Sequence, residues 1–382
     1  MKHWLVIAIL ALAGCSAAGK EPEPRAQLPA TPSEWVEITA EPTMIDGALV
    51  TPTCSGAPGA DPAFRFWARR GQSNRLAVFF DGGGACWDDV TCSVPRLAAN
   101  TREGDGFYKA ELLPGDTPAR SAGMFNLNDA RNPLRDWSIV FVPYCTGDIH
   151  SGSNTAHYID PDDGKPYTIQ HRGADNFAVI LAWMRQNFSD PETLLVTGSS
   201  AGAYGAATHY AAIREAFPNG RAVMLGDAGQ GVTAPEYAEQ RNANWNFQLP
   251  VQVFGAGADH TADDDVVAIL AAHYPRDRFA QYTTAHDITQ SSFYALMGAH
   301  NACRAWTQKM AHDLTRRQEA APNFRSYLAA GSTHTILRSP LFYSERSGGA
   351  PFRTWFTALL NEPAPENIAC ERCVNQRVYC PF

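Results

Sequence analysis

The chain is 382 residues long, 45% hydrophobic and 18% charged, which is enough apolar material for a large core and too little charge bias for a disordered polymer. Its formal net charge of -8 is spread without a long run of either sign, so the basic stripe that a nucleic-acid binder needs is missing and no nucleic-acid partner is expected. Length permits two domains, but α/β chains built on one extended sheet reach this size, and one domain over 34–382 is expected.

Met1-Lys2-His3 is a short positive start to the almost unbroken apolar run Trp4 to Ala13. That run falls below the roughly 20 residues a membrane span needs, but it suits the core of an export signal. It leads into Leu12-Ala13-Gly14-Cys15, which resembles a bacterial lipobox in which Cys15 is lipidated and becomes the new N-terminus. Ser16 beside it resembles the pattern that directs lipoproteins to the outer membrane. The expectation is a signal over 1–15 and an exported protein held to a membrane by lipid at Cys15, or a periplasmic or secreted one if Cys15 is incidental. Residues 16–33, rich in Ala, Pro and Glu without apolar periodicity, read as a flexible tether.

Beyond Trp35, continuous apolar or β-branched runs alternate with helical patterns. Leu76–Phe80 predicts a buried strand and runs straight into Asp81-Gly82-Gly83-Gly84. Residues 91–136, rich in Gly, Asn, Asp and Arg, predict a long surface insertion near the site. Further strands are predicted at Ser138–Val142, Leu194–Thr197, Ala222–Leu225, Val251–Phe254, Phe279–Tyr282 and Phe324–Leu328. Helices are predicted at Asn176–Gln186, Ala201–Ala216, Ala262–Ala272, Gln290–Leu314 and Pro351–Leu360. This alternation implies βαβ units and an α/β fold with a mostly parallel sheet covered by helices.

Gly198-Ser199-Ser200-Ala201-Gly202 sets G-x-S-x-G between a predicted strand and a predicted helix. The tight turn this requires strains Ser200 and lifts its hydroxyl clear of the sheet, as a nucleophile needs, whereas Ser199 has the register of a turn hydroxyl. The Ala201 N–H can then donate to a developing oxyanion, and the bare N–H groups of Gly83 and Gly84, directly after a buried strand, are candidates for the other half of that site.

Phe80-Asp-Gly-Gly-Gly-Ala-Cys-Trp87, Val142-Pro-Tyr-Cys-Thr-Gly-Asp148-Ile-His150-Ser-Gly152 and Gly198-Ser-Ser-Ala-Gly202 occur in that order. Together, and with Asp227-Ala228-Gly229, they resemble the pectin acetylesterase family, which includes the Notum carboxylesterases, over about Val50 to His334. The resemblance implies an α/β-hydrolase fold, a Ser-His-Asp triad, no cofactor, and removal of acetyl groups from polysaccharide or of a fatty acyl group from a protein. His334, after the last predicted strand, matches the position of the family's histidine. For the acid, Asp287 resembles a family block in which the triad Asp precedes a Gln by a few residues; Asp259 is the alternative after the strand predicted at 251–254, and Asp227 is a third option. Asp81 and Ala85 stand where relatives often carry Glu and an aromatic residue, which affects pocket shape more than chemistry. Trp87, Asp148, His150 and Tyr204 are candidate substrate contacts, with a buried, disulfide-held loop as the other reading of Asp148 and His150; His260 and His286 are bystanders.

Without Cys15, eight cysteines remain, an even set that suits disulfides in an oxidising compartment. Cys370-x-x-Cys373 lies in an irregular tail and reads as structural; connectivity does not follow from spacing, and Cys86–Cys92 and Cys373–Cys380 are the short loops guessed. No His, Asp or Glu group has dependable metal-ligand spacing, so a metal-independent enzyme is expected. The ester substrate expected first is an acylated polysaccharide, then a longer acyl ester or polyester. A peptidase and a catalytically silent carbohydrate-binding lipoprotein are the competing readings.

Overall fold

A computed structural model describes residues 27–96, 106–258, 261–370, 372–376 and 380. Cys15, residues 16–26 of the expected tether, Asp259 and His260 lie outside the described residues.

Eight strands form one sheet: β1 (Val36–Thr39), β2 (Arg65–Arg69), β3 (Arg75–Phe80), β4 (Ser138–Val142), β5 (Thr193–Ser199), β6 (Arg221–Asp227), β7 (Arg278–Thr284) and β8 (Phe324–Ala329). Their spatial order is β1-β2-β4-β3-β5-β6-β7-β8. β1–β2 and β2–β4 are antiparallel, and all remaining pairs are parallel. Every residue of β4 and β5 is buried, which is why these strands read as unbroken apolar runs rather than alternating ones. The α/β class expected from the sequence is the one observed, a mostly parallel sheet flanked by helices. The antiparallel strands β1 and β2 were not legible, because Val-Glu-Ile-Thr and Arg-Phe-Trp-Ala-Arg mix polar and apolar residues, as the antiparallel end of a sheet allows.

The helices are α1 (Gly173–Asn187), α2 (Ala201–Ala216), α3 (Pro235–Trp245), α4 (Val266–His273), α5 (Ile288–Leu296), α6 (Ala302–Ala320) and α7 (Phe352–Leu359). In α1 the buried Phe177, Ile180, Leu181 and Met184 recur at helical spacing, with Asp175 in the first turn and Arg185 in the last, as the helix dipole favours. Among the described residues no helix is long and apolar enough to cross a membrane.

Three expectations are corrected. Val251–Phe254 is a single helical turn, not a strand: Pro250 heads it, Gly255 at φ 75° ends it, and Val251 is exposed, so no buried pairing surface exists there. The predicted helix Gln290–Leu314 is two helices, α5 and α6, because Gly298 at φ 91° and Asn301 at φ 50° take left-handed conformations that stop one and start the next. The insertion 91–136 is only partly at the surface in its described parts: Pro114, Gly115, Arg120 and Arg135 are exposed, but Tyr108, Met124 and Leu134 are fully buried.

Four disulfides join Cys54 to Cys145, Cys86 to Cys92, Cys303 to Cys380 and Cys370 to Cys373. Cys86–Cys92 is the guessed pair; Cys373–Cys380 is not, because Cys373 bonds its near neighbour and Cys380 reaches back to α6. Non-reducing peptide mapping is expected to recover a Cys303–Cys380 peptide and none linking Cys373 to Cys380. The Cys54–Cys145 bond spans 91 residues, so replacing both by Ala should cost on the order of 4 kcal/mol through lost constraint on the unfolded chain, measured by urea denaturation.

Candidate active site

The site gathers at the carboxyl ends of the parallel strands, where a βα sheet places its loops. β5 ends at Ser199, and Ser200 sits in the turn at φ 59°, ψ -125°, a conformation that costs a non-glycine residue about 1–3 kcal/mol. Two backbone bonds hold it there: the Ser200 N–H donates to Asp227 O at 2.7 Å, and its carbonyl accepts the Ala203 N–H at 2.9 Å. The turn closes only because position 202 is glycine, since a Cβ there would lie 2.0 Å from the Phe80 carbonyl oxygen. Ala201 is the first residue of α2, so its N–H has no acceptor within the helix.

Asp287 caps α5 and is fully buried; it accepts from the Gln290 N–H at 2.9 Å and the Gln290 Nε2 at 3.0 Å. The His334 Nδ1–H donates to the same carboxylate, 2.8 Å from Oδ2 and 3.0 Å from Oδ1. Nε2 of His334 is buried and has no hydrogen-bond partner among the described residues, leaving its lone pair available on a neutral ring. Burial disfavours charge on this imidazole, but the attraction and hydrogen bond of Asp287, helped by the charge of Asp227, outweigh it and raise its pKa above the ordinary value.

Ser200, Ala201, Gly84 and His334 line one cavity of about 50 Å³, walled mainly by Ile149, Tyr204, Tyr237, Phe293, Met297 and Trp306. Of the acid candidates, Asp287 is the one bonded to His334. Asp259 lies outside the described residues, and the strand that recommended it is absent. Asp227 has a different task. Buried completely, it accepts from Ser199 Oγ at 2.6 Å, the Ile336 N–H at 3.0 Å and the Leu337 N–H at 2.9 Å, so it fastens the His334 loop beside the serine turn. Burial pushes its carboxyl up to about 6 against those donors and the charge of His334. Sequence reading missed this role; its only local signal was an acidic residue ending a buried strand.

Gly84, at φ 78°, lets the glycine turn pass so close to the insertion that a Cβ would meet the Phe107 carbonyl at 1.9 Å. The Gly83 carbonyl accepts the Lys109 N–H at 2.8 Å. Beneath this turn Asp81 pairs with Lys109 Nζ at 3.1 Å and with Arg338, whose guanidinium also donates to Ser121 Oγ at 2.8 Å. Burial acts to raise the Asp81 carboxyl, but the two cations prevail and hold it at about 2.

Of the four candidate contacts, Tyr204 alone lines the cavity. Trp87 is buried behind it, its ring against Tyr237 and Phe293. Asp148 is buried and spent on Thr146 Oγ1 and the N–H groups of His150, Gly152 and Gly173, which makes it the clasp of its own loop. His150 donates from Nε2 to the Asp81 carbonyl at 2.8 Å, and burial lowers its pKa to about 4, so it is a neutral support under the glycine turn. Of the two readings the sequence left open for these residues, their burial and bonding favour the disulfide-held loop. His286 is likewise buried, between Thr307 and Cys373. Trp306, Met297 and Phe293 were not singled out from the sequence, because an aromatic or Met on a helix reads as core until its neighbours are known.

Among the described residues one group, Cys86, Cys92 and His171, has metal-ligand proximity. Both thiols are spent in the disulfide, and the His171 ring donates to Thr146 O and accepts from Tyr158 OH, so no ligand lone pair remains.

A profile of the Pectinacetylesterase family matches residues 39–294, a span that takes in Ser200 and Asp287 and stops before His334. Pectin acetylesterase 11 of Arabidopsis thaliana is 28% identical over 209 residues, 51% of this chain and 50% of the plant protein. Palmitoleoyl-protein carboxylesterase NOTUM of Schmidtea mediterranea is 25% identical over 136 residues, 35% of this chain and 23% of the planarian protein. The chain thus spans half or less of the length of these relatives. Among solved structures, the Wnt deacylase Notum from Drosophila shares the fold with a TM-score of 0.54 at 16% identity, over 80% of this chain and 89% of that one.

The strain at Ser200 is testable. Removing Cβ relieves it, so Ser200→Gly should be more stable than Ser200→Ala by about 1 kcal/mol. Urea denaturation of the two variants decides it, and a less stable Gly variant would show that the turn is unstrained.

Proposed function

The chain belongs to the pectinacetylesterase family, and from that premise we propose that it is an exported serine esterase that removes a short acyl group, acetyl first, from an esterified polysaccharide. The observation that carries this reading is the convergence of a strained serine and an Asp287-held histidine on one small apolar cavity.

Ser200 Oγ attacks the ester carbonyl while His334 Nε2 takes its proton; Asp287 holds the ring in the tautomer with Nε2 free and stabilises the imidazolium. The N–H groups of Gly83, Gly84 and Ala201 receive the developing oxyanion. The C–O bond to the alcohol breaks as His334 returns the proton to the leaving oxygen. Water, deprotonated by the same histidine, then attacks the acyl-serine, and the acid product leaves with Ser200 restored.

Cavity size supports a short acyl group. An engineered apolar cavity of about 150 Å³ accepts benzene, and the 50 Å³ here is about a third of that. The apolar, aromatic walls suit an acyl chain rather than a sugar, which leaves the polar alcohol portion outside. Export is supported by four disulfides; lipid at Cys15 would hold the enzyme on a membrane, facing polymers beyond the cell.

A second reading, hydrolysis of longer acyl esters, is favoured by the same aromatic walls and by the relative named for a palmitoleoyl-protein substrate. Hydrolysis of p-nitrophenyl acetate, butyrate and octanoate by the chain from Ser33 onward separates the two. Turnover greatest on acetate and lost in Ser200→Ala is expected; a preference for octanoate supports the second reading, and turnover that survives Ser200→Ala removes both.

The proton-accepting form of His334 is the neutral one, so kcat/KM should rise with pH through a pKa above the ordinary histidine value near 6.5. Asp287→Asn removes the charge that raises this pKa. The acid limb should therefore move to lower pH and the rate fall on the order of 10³–10⁴-fold. A pH profile unchanged by Asp287→Asn would remove Asp287 from the triad.

A further inference from the structure

Beyond the cavity at Ser200 lies a second void of about 20 Å³, walled by Ala203, Ala207, Phe247, Val266, Val267 and the Asp263 side chain among others. Tyr204 and Ile149 line both spaces. Tyr204 stands on α2 one helical turn beyond Ser200, so its side chain shares the serine's face of the helix. Its ring lies against Gly229, where a Cβ would come within 3.3 Å of Cε2, and its hydroxyl accepts the Gly231 N–H at 3.3 Å. The ring is thereby pinned between two voids instead of swinging into either.

We propose that Tyr204 is the specificity-determining wall that ends the acyl cavity and confines the enzyme to short acyl groups. This rests on the esterase reading above. A two-carbon acyl group fits in front of the ring; a longer chain has to pass through the plane the ring occupies. Ile149, the other shared residue, belongs to the loop clasped by Asp148, so the ring on α2 is the element whose removal opens the way with least disturbance. The void behind is predominantly apolar and already lacks side-chain atoms, so a chain extended into it displaces no buried polar group along the Ala203, Ala207, Val266 and Val267 wall.

The magnitude follows from burial. Each methylene taken from water into an apolar space is worth about fourfold in kcat/KM, so the two methylenes that distinguish butyrate from acetate should count for about fifteenfold once there is room. The experiment measures kcat/KM for p-nitrophenyl acetate, butyrate and hexanoate on wild type, Tyr204→Ala, Tyr204→Phe and the double variant Tyr204→Ala/Ala207→Leu. Tyr204→Ala is expected to raise the butyrate-to-acetate ratio by up to about fifteenfold and the hexanoate ratio at least as much. Tyr204→Phe, which keeps the ring and loses only the Gly231 contact, should keep the wild-type ratio. Ala207→Leu refills the second void and should return the double variant toward the wild-type ratio, a result that general loosening of the site would not produce. If Tyr204→Ala fails to fold, Tyr204→Leu is expected to shift the ratio in the same direction. Ratios that stay at the wild-type value in a folded Tyr204→Ala or Tyr204→Leu enzyme still active on acetate overturn the proposal and leave the esterase reading standing. Absence of Ser200-dependent turnover in the wild type on all three esters is the separate outcome that ends the esterase reading itself.

Discussion

The site depends on how closely α2 can approach the carboxyl ends of β3 and β5. A chain leaving β5 must reverse into a helix within one residue, and that residue, Ser200, takes a φ of 59° that side chains avoid. The helix then lies so near β3 that only glycine fits at 202, against the Phe80 carbonyl. Small residues continue along the first turns, with Ala201, Ala203, Gly205, Ala206 and Ala207 all buried. A side chain at 202, against the Phe80 carbonyl, would push α2 outward and lower Ser200 back toward the sheet, so the composition of this turn and the exposure of the serine are one constraint.

Buried carboxylates convert that constraint into a complete site. Asp227 ends the strand beside β5 and takes the N–H groups of Ile336 and Leu337, which sets the His334 loop at the correct height above the serine turn. Asp81 directly follows β3 and draws in Arg338 from the same loop and Lys109 from the insertion. Asp148 closes its loop with four donors and thereby presents His150 as a prop for the Asp81 carbonyl. An unpaired carboxylate at any of these depths would cost several kcal/mol. Each is tolerated because it satisfies backbone N–H groups or cations that loops of this irregularity would otherwise bury unpaired.

The electrostatic balance differs among them in a way that matches their positions. Asp81, with two cations, is held strongly ionised, while Asp227, with neutral donors, is pushed up to about 6. Asp287 is assigned to the imidazole, and Asp227 adds a more distant negative charge to the same ring. The histidine is thus biased toward accepting a proton by one contacting and one remote carboxylate, while Asp227 itself is occupied by the loop it anchors. The second acidic residue near the ring therefore need not compete for Nδ1.

Much of the fold was legible in the sequence because it is encoded locally. Buried parallel strands read as apolar runs, α2 was bounded correctly at Ala201–Ala216, and G-x-S-x-G fixed the one turn where a serine is forced upright. Local signals also explain the misses: Pro250 and Gly255 frame a helical turn where an apolar tetrapeptide suggested a strand, and Gly298 divides a helix that periodicity alone had joined. What only the tertiary structure decided are pairings between distant segments. Asp227 meets Ile336 across 109 residues and Asp81 meets Arg338 across 257, and the choice of Asp287 for His334 and of Cys303 for Cys380 are of the same kind. Such partners carry no periodic pattern, because loop contacts are selected by where the strands of the sheet end in space. The sequence by itself determined the parallel core of the sheet, the tight serine turn and the chain order of the candidate site residues; the folded chain alone determined the antiparallel strands β1 and β2, which carboxylate bonds the histidine, which ones hold the loops, and how small the space before Tyr204 is.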